Sequence, residues 1–100
     1  MSILRLNEFK ALPGKFEALS AKMADICARI RTLDGCEQCE LLLKVADGEN
    51  PDEALIVREV WTSVEAHKAA AANIDPAEFA EVMTLLADRP TGQYYAAVST

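Results

Sequence analysis

The sequence predicts an α+β fold of the ferredoxin-like, split βαβ type, in which a four-stranded antiparallel sheet carries its helices on one face. The prediction depends on the element order β-α-β-β-α-α-β, on one long amphipathic helix pattern and on one central strand pattern. The strand pattern, residues 54–61, is the most β-prone run in the chain and is rich in β-branched and aromatic side chains. The chain of 100 residues is expected to form one such domain, over residues 1–100.

A short turn joins the first strand to the first helix. Residues 2–10 are predicted as a strand, and Pro13 and Gly14 mark the turn. In the helix, predicted over residues 15–32, apolar side chains recur at spacings of three and four, which is typical of one buried face. These side chains are Phe16, Leu19, Met23, Ile26, Cys27, Ile30 and Leu33.

Strands two and three are predicted to form a hairpin with a long tip. Gly35 ends the helix because glycine readily adopts positive φ, and strand two follows over residues 36–46. The turn-rich loop 47–52 leads into strand three, residues 54–61, which we expect in the middle of the sheet.

Two shorter helices and a final strand complete the pattern. Residues 62–65, Thr-Ser-Val-Glu, resemble a capping box, and the helix that they open is broken at residues 73–75. Asp75 then caps a third helix, with Pro76 at its first position. Residues 89–92, Arg-Pro-Thr-Gly, are predicted as a turn, and the last strand is predicted over residues 93–99.

The sheet face without helices is predicted to expose apolar side chains. A contiguous apolar patch of this kind marks an association site. We therefore expect a symmetric homodimer joined sheet to sheet. The candidates for the patch are Leu41 or Leu42, Val57 or Ile56, and Ile3 or Leu6.

Charge and composition limit the expected partners. The net charge is −6, so no basic face for nucleic acid is expected. No apolar run approaches the ~18 residues that a membrane-spanning helix requires. The N-terminus lacks the pattern of a signal peptide. We expect a cytoplasmic protein without a nucleic-acid or membrane partner.

Three cysteines, Cys27, Cys36 and Cys39, are expected to be free, packed thiols, because their number is odd and a signal peptide is lacking. Cys36 and Cys39 have the CxxC spacing of redox pairs and of half zinc sites. Residues three apart on a strand point to opposite faces, however, and no second pair completes a zinc tetrahedron. With one histidine and no glycine-rich loop, neither a metal nor a cofactor is expected.

Three motifs resemble, in order and spacing, those of one known family. The first leads into the long helix, the second enters strand two, and the third joins strand three to its helix. They read Phe9-x-x-x-Pro13-Gly14-Lys15, Asp34-Gly35-Cys36 followed by Glu40-Leu41-Leu42, and Arg58-Glu59-Val60-Trp61-Thr62-Ser63-x-Glu65-Ala66. Over nearly its whole length the chain resembles the antibiotic biosynthesis monooxygenase superfamily, whose members are dimeric α+β barrels of ferredoxin-like protomers.

The resemblance implies a cavity between the helices and the sheet of each protomer. Members of the superfamily include cofactor-free oxygenases of phenolic and quinol compounds, haem-degrading enzymes and an isomerase of a small sugar-derived signal. Many carry a histidine–aromatic pair on the helix that follows the strand-three tryptophan, which corresponds to Trp61. In that region this sequence reads Asn73-Ile74-Asp75-Pro76.

His67 and Asn7 are the candidate catalytic residues. His67 is the only histidine and lies on an apolar helix stripe, so it is either a general base beside a cavity or a core histidine with one partner. Asn7 lies in mid-strand, where asparagine is disfavoured. Its amide either faces a substrate oxygen or dioxygen, or bonds to a neighbouring strand. The resemblance supports the first role, since haem-degrading members use an asparagine at this distance before the turn glycine.

Four residues are candidates for contacting an aromatic substrate, and core packing is the alternative for them: Trp61, Phe79, Met83 and Tyr94. Tyr94 and Tyr95 point to opposite faces, so one of them faces the helices. Arg58 and Glu59 do the same. Pairing with Arg5 or bonding across subunits would satisfy such charges if they are buried.

These residues and the resemblance favour a cofactor-free monooxygenase that acts on a small phenolic or quinol-type compound. In this hypothesis His67 removes the phenolic proton and Asn7 holds the resulting oxyanion. One alternative is a non-catalytic dimeric barrel that binds a small apolar ligand, and another is haem degradation.

Overall fold

A computed structural model describes residues 2–45, 47 and 52–98 and confirms the predicted fold class. The strands form one antiparallel sheet in the order β2-β3-β1-β4, so β3 lies inside the sheet as predicted. The pairing of β2 with β3 confirms the hairpin. The elements are β1 (Ile3–Lys10), α1 (Phe16–Ile30), β2 (Cys36–Leu43), β3 (Ala54–Trp61), α2 (Val64–Ala71), α3 (Pro76–Met83) and β4 (Thr91–Tyr95).

The last strand begins two residues earlier than predicted. Thr91 and Gly92, expected to be part of a turn, pair with Glu8 and Asn7 of β1. The register with β1 therefore outweighs the turn preference of glycine. The expected loop tip at 48–51 lies outside the described residues. The predicted strand ends at 46 and 99 were wrong, because β2 ends at Leu43 and β4 at Tyr95, where their pairing with β3 and β1 ends.

The pairing of β1 with β3 decides which side chains face the helices. Arg5 lies opposite Glu59 and Asn7 lies opposite Val57, and such cross-strand partners share a face of the sheet. This covered face packs on α1 around side chains that are almost fully buried. The largest of them are Trp61, Leu19, Leu55, Val57 and Cys27.

Polar caps fix the two short helices. The cap of α2 is Ser63, one residue later than the predicted capping box begins, and its Oγ accepts the Ala66 amide at 3.0 Å. The predicted cap of α3 is confirmed, since Asp75 Oδ1 accepts the Ala77 amide at 2.9 Å and Pro76 is the first helical residue.

Gly35 fixes the approach of α2 to the sheet. Its φ is +86°, as predicted for a glycine that ends a helix. A Cβ at this position would lie 2.7 Å from Cβ of Ala66. Only glycine therefore combines this turn with such close packing of α2.

A bulge at the start of β2 changes the orientation of the CxxC pair. The register shifts between Cys36 and Gln38, so that Cys36 lies opposite Trp61 and Cys39 opposite Glu59. Both cysteines contact the core beneath the helices. The prediction of opposite faces was wrong because the bulge adds one residue to the alternation. All three thiols are free.

The opposite, open face of the sheet carries no helix in the described chain. Its apolar side chains include Leu6, Leu42, Ile56 and Tyr95, of which Leu42 is 38% and Tyr95 46% exposed. None of the helices described is long and apolar enough to cross a membrane.

Candidate functional site

A cavity of about 710 Å³ lies between the covered face of the sheet and the three helices. Most of its wall is apolar, with side chains such as Phe9 from β1 and Ile26 from α1. Four polar side chains from the sheet and α2 interrupt this wall: Arg5, Asn7, Glu59 and His67. A mostly apolar cavity with a few convergent polar groups is typical of a site for a small organic molecule.

Glu59 is the buried centre of the polar group. It is 5% exposed and receives two hydrogen bonds, from Trp61 Nε1 to Oε1 at 2.8 Å and from Asn7 Nδ2 to Oε2 at 3.0 Å. Burial raises the pKa of the Glu59 carboxyl, while these two donors and the charge of Arg5 oppose the rise. The carboxyl group is thus held in one position in the cavity wall.

His67 extends from α2 towards this carboxyl. Its Nδ1 lies 2.6 Å from the hydroxyl of Tyr94, and its Nε2 lies 4.0 Å from Oε1 of Glu59. Burial, together with the charges of Arg5 and Lys68, lowers the pKa of the imidazole below its usual 6.5. The ring is therefore neutral at pH 7 and able to accept a proton.

Aromatic contacts position the imidazole between two rings. Its centroid lies 5.4 Å from that of Trp61 and 5.3 Å from that of Tyr94, both edge to face. Tyr94, His67 and Glu59 thus form a row from β4 through α2 to β3. The row resembles an acid–base relay in which the outer groups fix the tautomer and the charge of the middle one.

Gly92 makes room for two of the polar side chains. A Cβ at this position would lie 2.7 Å from Cζ of Arg5 and would also collide with Oδ1 of Asn7. The guanidinium of Arg5 lies over the ring of Tyr94, with Cζ 4.6 Å from the centroid. The missing side chain on β4 therefore permits the observed positions of Arg5 and Asn7.

Ion pairs between α1 and α3 hold the helical wall together. Glu78 of α3 pairs with Arg29 and, at 3.9 Å, with Lys22, which also lies 3.1 Å from Glu81. Phe79 lines the cavity beside Glu78 and is 48% exposed, so α3 presents an aromatic side chain at an open part of the wall.

The sequence matches the family model of the antibiotic biosynthesis monooxygenases over residues 2–88. The chain belongs to this family. No curated protein matches the sequence.

Solved structures agree with this fold. Rv0793 from Mycobacterium tuberculosis is 19% identical, with a TM-score of 0.81 over 100% of this chain and 98% of that one. PA3566 from Pseudomonas aeruginosa is 19% identical, with a TM-score of 0.81 over 98% and 95% of the two chains. A conserved protein from Methanosarcina mazei is 13% identical, with a TM-score of 0.81 over 95% and 91%. At these identities the likeness shows a shared fold and nothing about activity.

The structure brings most of the sequence-derived candidates of this family member to one cavity. Asn7, His67, Trp61 and Phe79 line it. Tyr94 lies behind His67, bonded to its ring. Met83 lies outside the lining and packs against the hydrophobic core. The cavity is open and is not filled by the aromatic and methionine side chains.

For two site residues, Glu59 and Arg5, the sequence alone indicates only charges in need of partners. Glu59 has its partners within the chain, and Asn7, 52 positions away, is one of them. An acidic residue two positions before a tryptophan on a buried strand is an available signal for such a group. Three or more metal-binding side chains do not converge anywhere in the described residues.

Proposed function

We propose that this protein is a monooxygenase that oxidises a small phenolic or quinol-type aromatic compound in the helix–sheet cavity, with electrons supplied by the substrate. The observation that carries the proposal is the neutral, half-buried imidazole of His67, 4.0 Å from the Glu59 carboxyl on the wall of an apolar cavity. Membership of the antibiotic biosynthesis monooxygenase family supports the same class of reaction.

The first step is removal of the phenolic proton by His67. In the tautomer that we assign, Nδ1–H donates to the Tyr94 hydroxyl, which leaves the lone pair of Nε2 to accept the proton. The carboxylate of Glu59 stabilises the imidazolium that forms. Asn7 Nδ2 has a second N–H besides the one that bonds Glu59, and it is available to the phenolate oxygen.

The phenolate then reduces dioxygen. One electron passes to O₂, the two radicals combine at a ring carbon to form a C–O bond, and the peroxide takes up the proton from His67. Loss of the ring C–H proton and cleavage of the O–O bond release water and leave a second carbonyl. Overall, a phenol and O₂ give a quinone and water, and the substrate supplies all four electrons. Positioning and fixed dipoles provide most of the catalysis.

Oxygen uptake with 1-naphthol and a panel of hydroquinones tests the proposal. We expect His67→Ala to lower the rate by about 10²–10⁴-fold, the usual contribution of a general base. Asn7→Ala should lower it less, and Arg58→Met, on the open face, should leave it unchanged. With ¹⁸O₂, one labelled atom should enter the quinone and one the water. Equal rates for the wild type and the His67 and Asn7 variants would contradict these catalytic roles.

Haem degradation is not favoured by the surroundings of the histidine. Nδ1 of His67 bonds the Tyr94 hydroxyl, and Nε2 faces the carboxyl of Glu59. Nε2 is thus the one nitrogen left for haem iron, and the carboxyl beside it restricts the approach of a metal carried by a bulky porphyrin. A haem titration is therefore expected to leave the Soret band unshifted.

We further propose that a second copy of the chain covers the open face of the sheet. The support is the apolar surface there, with Leu42 and Tyr95 more than one third exposed. Light scattering should give twice the chain mass of 10.9 kDa. Leu42→Lys should shift the population towards the monomer, whereas a wild-type monomer at micromolar concentration would contradict the proposal.

A further inference from the structure

We propose that the cavity binds an aromatic ligand that carries a carboxylate, and that Arg5 is the residue that binds this group. The inference rests on the proposed function in taking the cavity as the substrate site. It does not depend on oxygen chemistry, so the two proposals can fail separately.

Arg5 differs from other arginines of the chain in its surroundings. Its Nε is the one buried side-chain nitrogen or oxygen in the described residues that has no hydrogen-bond partner. By contrast, Arg29 and Arg58 each pair with a glutamate, and Arg31 Nε donates to a backbone carbonyl at 2.8 Å. A buried donor without an acceptor costs free energy, which marks Arg5 as a cation whose hydrogen bonds the described chain does not complete.

The guanidinium of Arg5 lies on the side of β1 that faces β4. It lies over the ring of Tyr94 and next to the backbone of Gly92. Glu59 is on β3, the opposite neighbour of β1. Its two oxygens already accept the side-chain N–H groups of Trp61 and Asn7. Arg5 lines the cavity, so its guanidinium can meet a ligand there without first displacing an ion pair.

The other charges on the cavity wall are already engaged. Glu78 is paired with two cations from α1, one of which is Arg29. Asp75 caps α3 through its Oδ1. Arg5 is thus the cation left to meet a ligand anion. The planar guanidinium fork matches a carboxylate, which it can bind with two parallel hydrogen bonds.

The aromatic side chains in the rest of the cavity wall favour a ligand with a flat ring system. Phe9, Trp61 and Phe79 lie around the same cavity as Arg5. Its volume of about 710 Å³ is large enough for two or three fused rings with their substituents. An apolar ring system with an acidic group at one end therefore fits both the apolar walls and the guanidinium of Arg5.

Calorimetric titration of 2-naphthoate and its neutral analogue 2-naphthamide at pH 7 tests the inference. The wild type should bind the naphthoate about ten- to a hundredfold more tightly, the range expected for charge-assisted hydrogen bonds. Arg5→Met should abolish the preference and leave the affinity for the amide unchanged. Arg5→Lys should keep part of it, because the charge remains but the fork is lost.

Arg58→Met is the matched control, since it removes an arginine on the open face, and it should retain the full preference. Circular dichroism checks that each variant is folded. A preference preserved in Arg5→Met, equal wild-type affinities for the two compounds, or no binding of either would overturn the inference. If the wild type consumes no oxygen but still binds naphthoate through Arg5, only the proposed oxidation is contradicted.

Discussion

Arg58 and Glu59 are neighbours in the chain, yet the two faces of the sheet give them opposite surroundings. The Arg58 side chain turns to the open face, where it is 30% exposed and pairs with Glu40 at 2.7 Å. Glu59 turns to the covered face, where its side chain is 6% exposed and its nearest cationic candidate is His67 at 4.0 Å. One face pairs its charge with an opposite charge of the same chain, and the other buries an acid among neutral donors.

Under the proposed function, the covered face gives up stability to place reactive groups around the cavity. Exposed ion pairs contribute about 0–1 kcal/mol and can be exchanged with little effect. A buried acid without a full counter-charge is unfavourable for folding, and such groups gather at functional sites because their pKa values and positions serve a reaction. Glu59, Arg5 and His67 all lie on the covered side, around one cavity.

The largest expected contrast between the faces is in catalysis. Glu59→Gln keeps the shape of the side chain but cannot stabilise an imidazolium at His67. Its oxygen-uptake rate should fall by about a hundredfold, within the range of acid–base contributions. Glu40→Gln makes the same change on the open face and should leave the rate within about twofold, as expected for an exposed pair. Similar rates in the two variants would remove the distinction.

The pH profile should depend on the covered face alone. His67 must be neutral to accept a proton, and its pKa lies below 6.5 because of burial and nearby positive charges. The rate kcat/KM should therefore be level at pH 7 and should fall about tenfold per pH unit once the pH is below that pKa. Steady-state kinetics on wild type and Glu40→Gln should give the same profile. A rate that keeps rising from pH 7 to pH 9 would indicate another base.

Two glycines separate positioning from stability. Gly92→Ala should push the ends of Arg5 and Asn7 out of place and lower kcat/KM by about tenfold, as for a small displacement of positioned groups. Gly14 has φ +77° and nothing within 4 Å of a Cβ. Gly14→Ala should cost about 1 kcal/mol in unfolding free energy and leave kcat/KM unchanged. Urea denaturation and oxygen uptake on both variants check that Gly92→Ala affects mainly activity and Gly14→Ala affects only stability.

The smallest expected effect is on stability as a function of pH. Burial raises the folded-state pKa of Glu59 above 4.5, so this group costs stability as the pH rises through that pKa. The melting temperature of Glu59→Gln minus that of wild type should therefore be larger at pH 7 than at pH 4. Glu40→Gln should show no such gain. Thermal unfolding at the two pH values decides this, and a melting-temperature difference from wild type that is equal or more negative at pH 7 than at pH 4 would contradict it.

Local patterns were sufficient to predict the fold. The apolar stripe of α1, the β-branched run of β3 and the polar caps each specify an element within a few residues, and their order leaves few topologies. The alternation of side chains also placed Arg58 and Glu59 on opposite faces. These features are patterns among residues close together in the chain, which a single sequence displays directly.

The site could not be predicted in the same way, because it is formed by residues far apart in the sequence. Glu59 is held by Asn7, 52 positions away, and this pair follows from the register of β1 on β3. The space beside Arg5 follows from the pairing of Gly92 with Asn7, at a position that was expected to be a turn. The bulge at Cys36 reversed the orientation of one cysteine. Register and bulges are set by tertiary packing rather than by propensity.

The central claim is that the covered face removes a proton from a phenolic ligand. Its most direct test is an anaerobic absorbance titration of 1-naphthol with the protein at pH 7, where ionisation of the bound naphthol is visible and oxidation cannot follow. We expect the red-shifted band of the naphtholate on binding to wild type, and the spectrum of the neutral naphthol on binding to His67→Gln. Naphthol that binds to wild type and stays neutral would contradict the account.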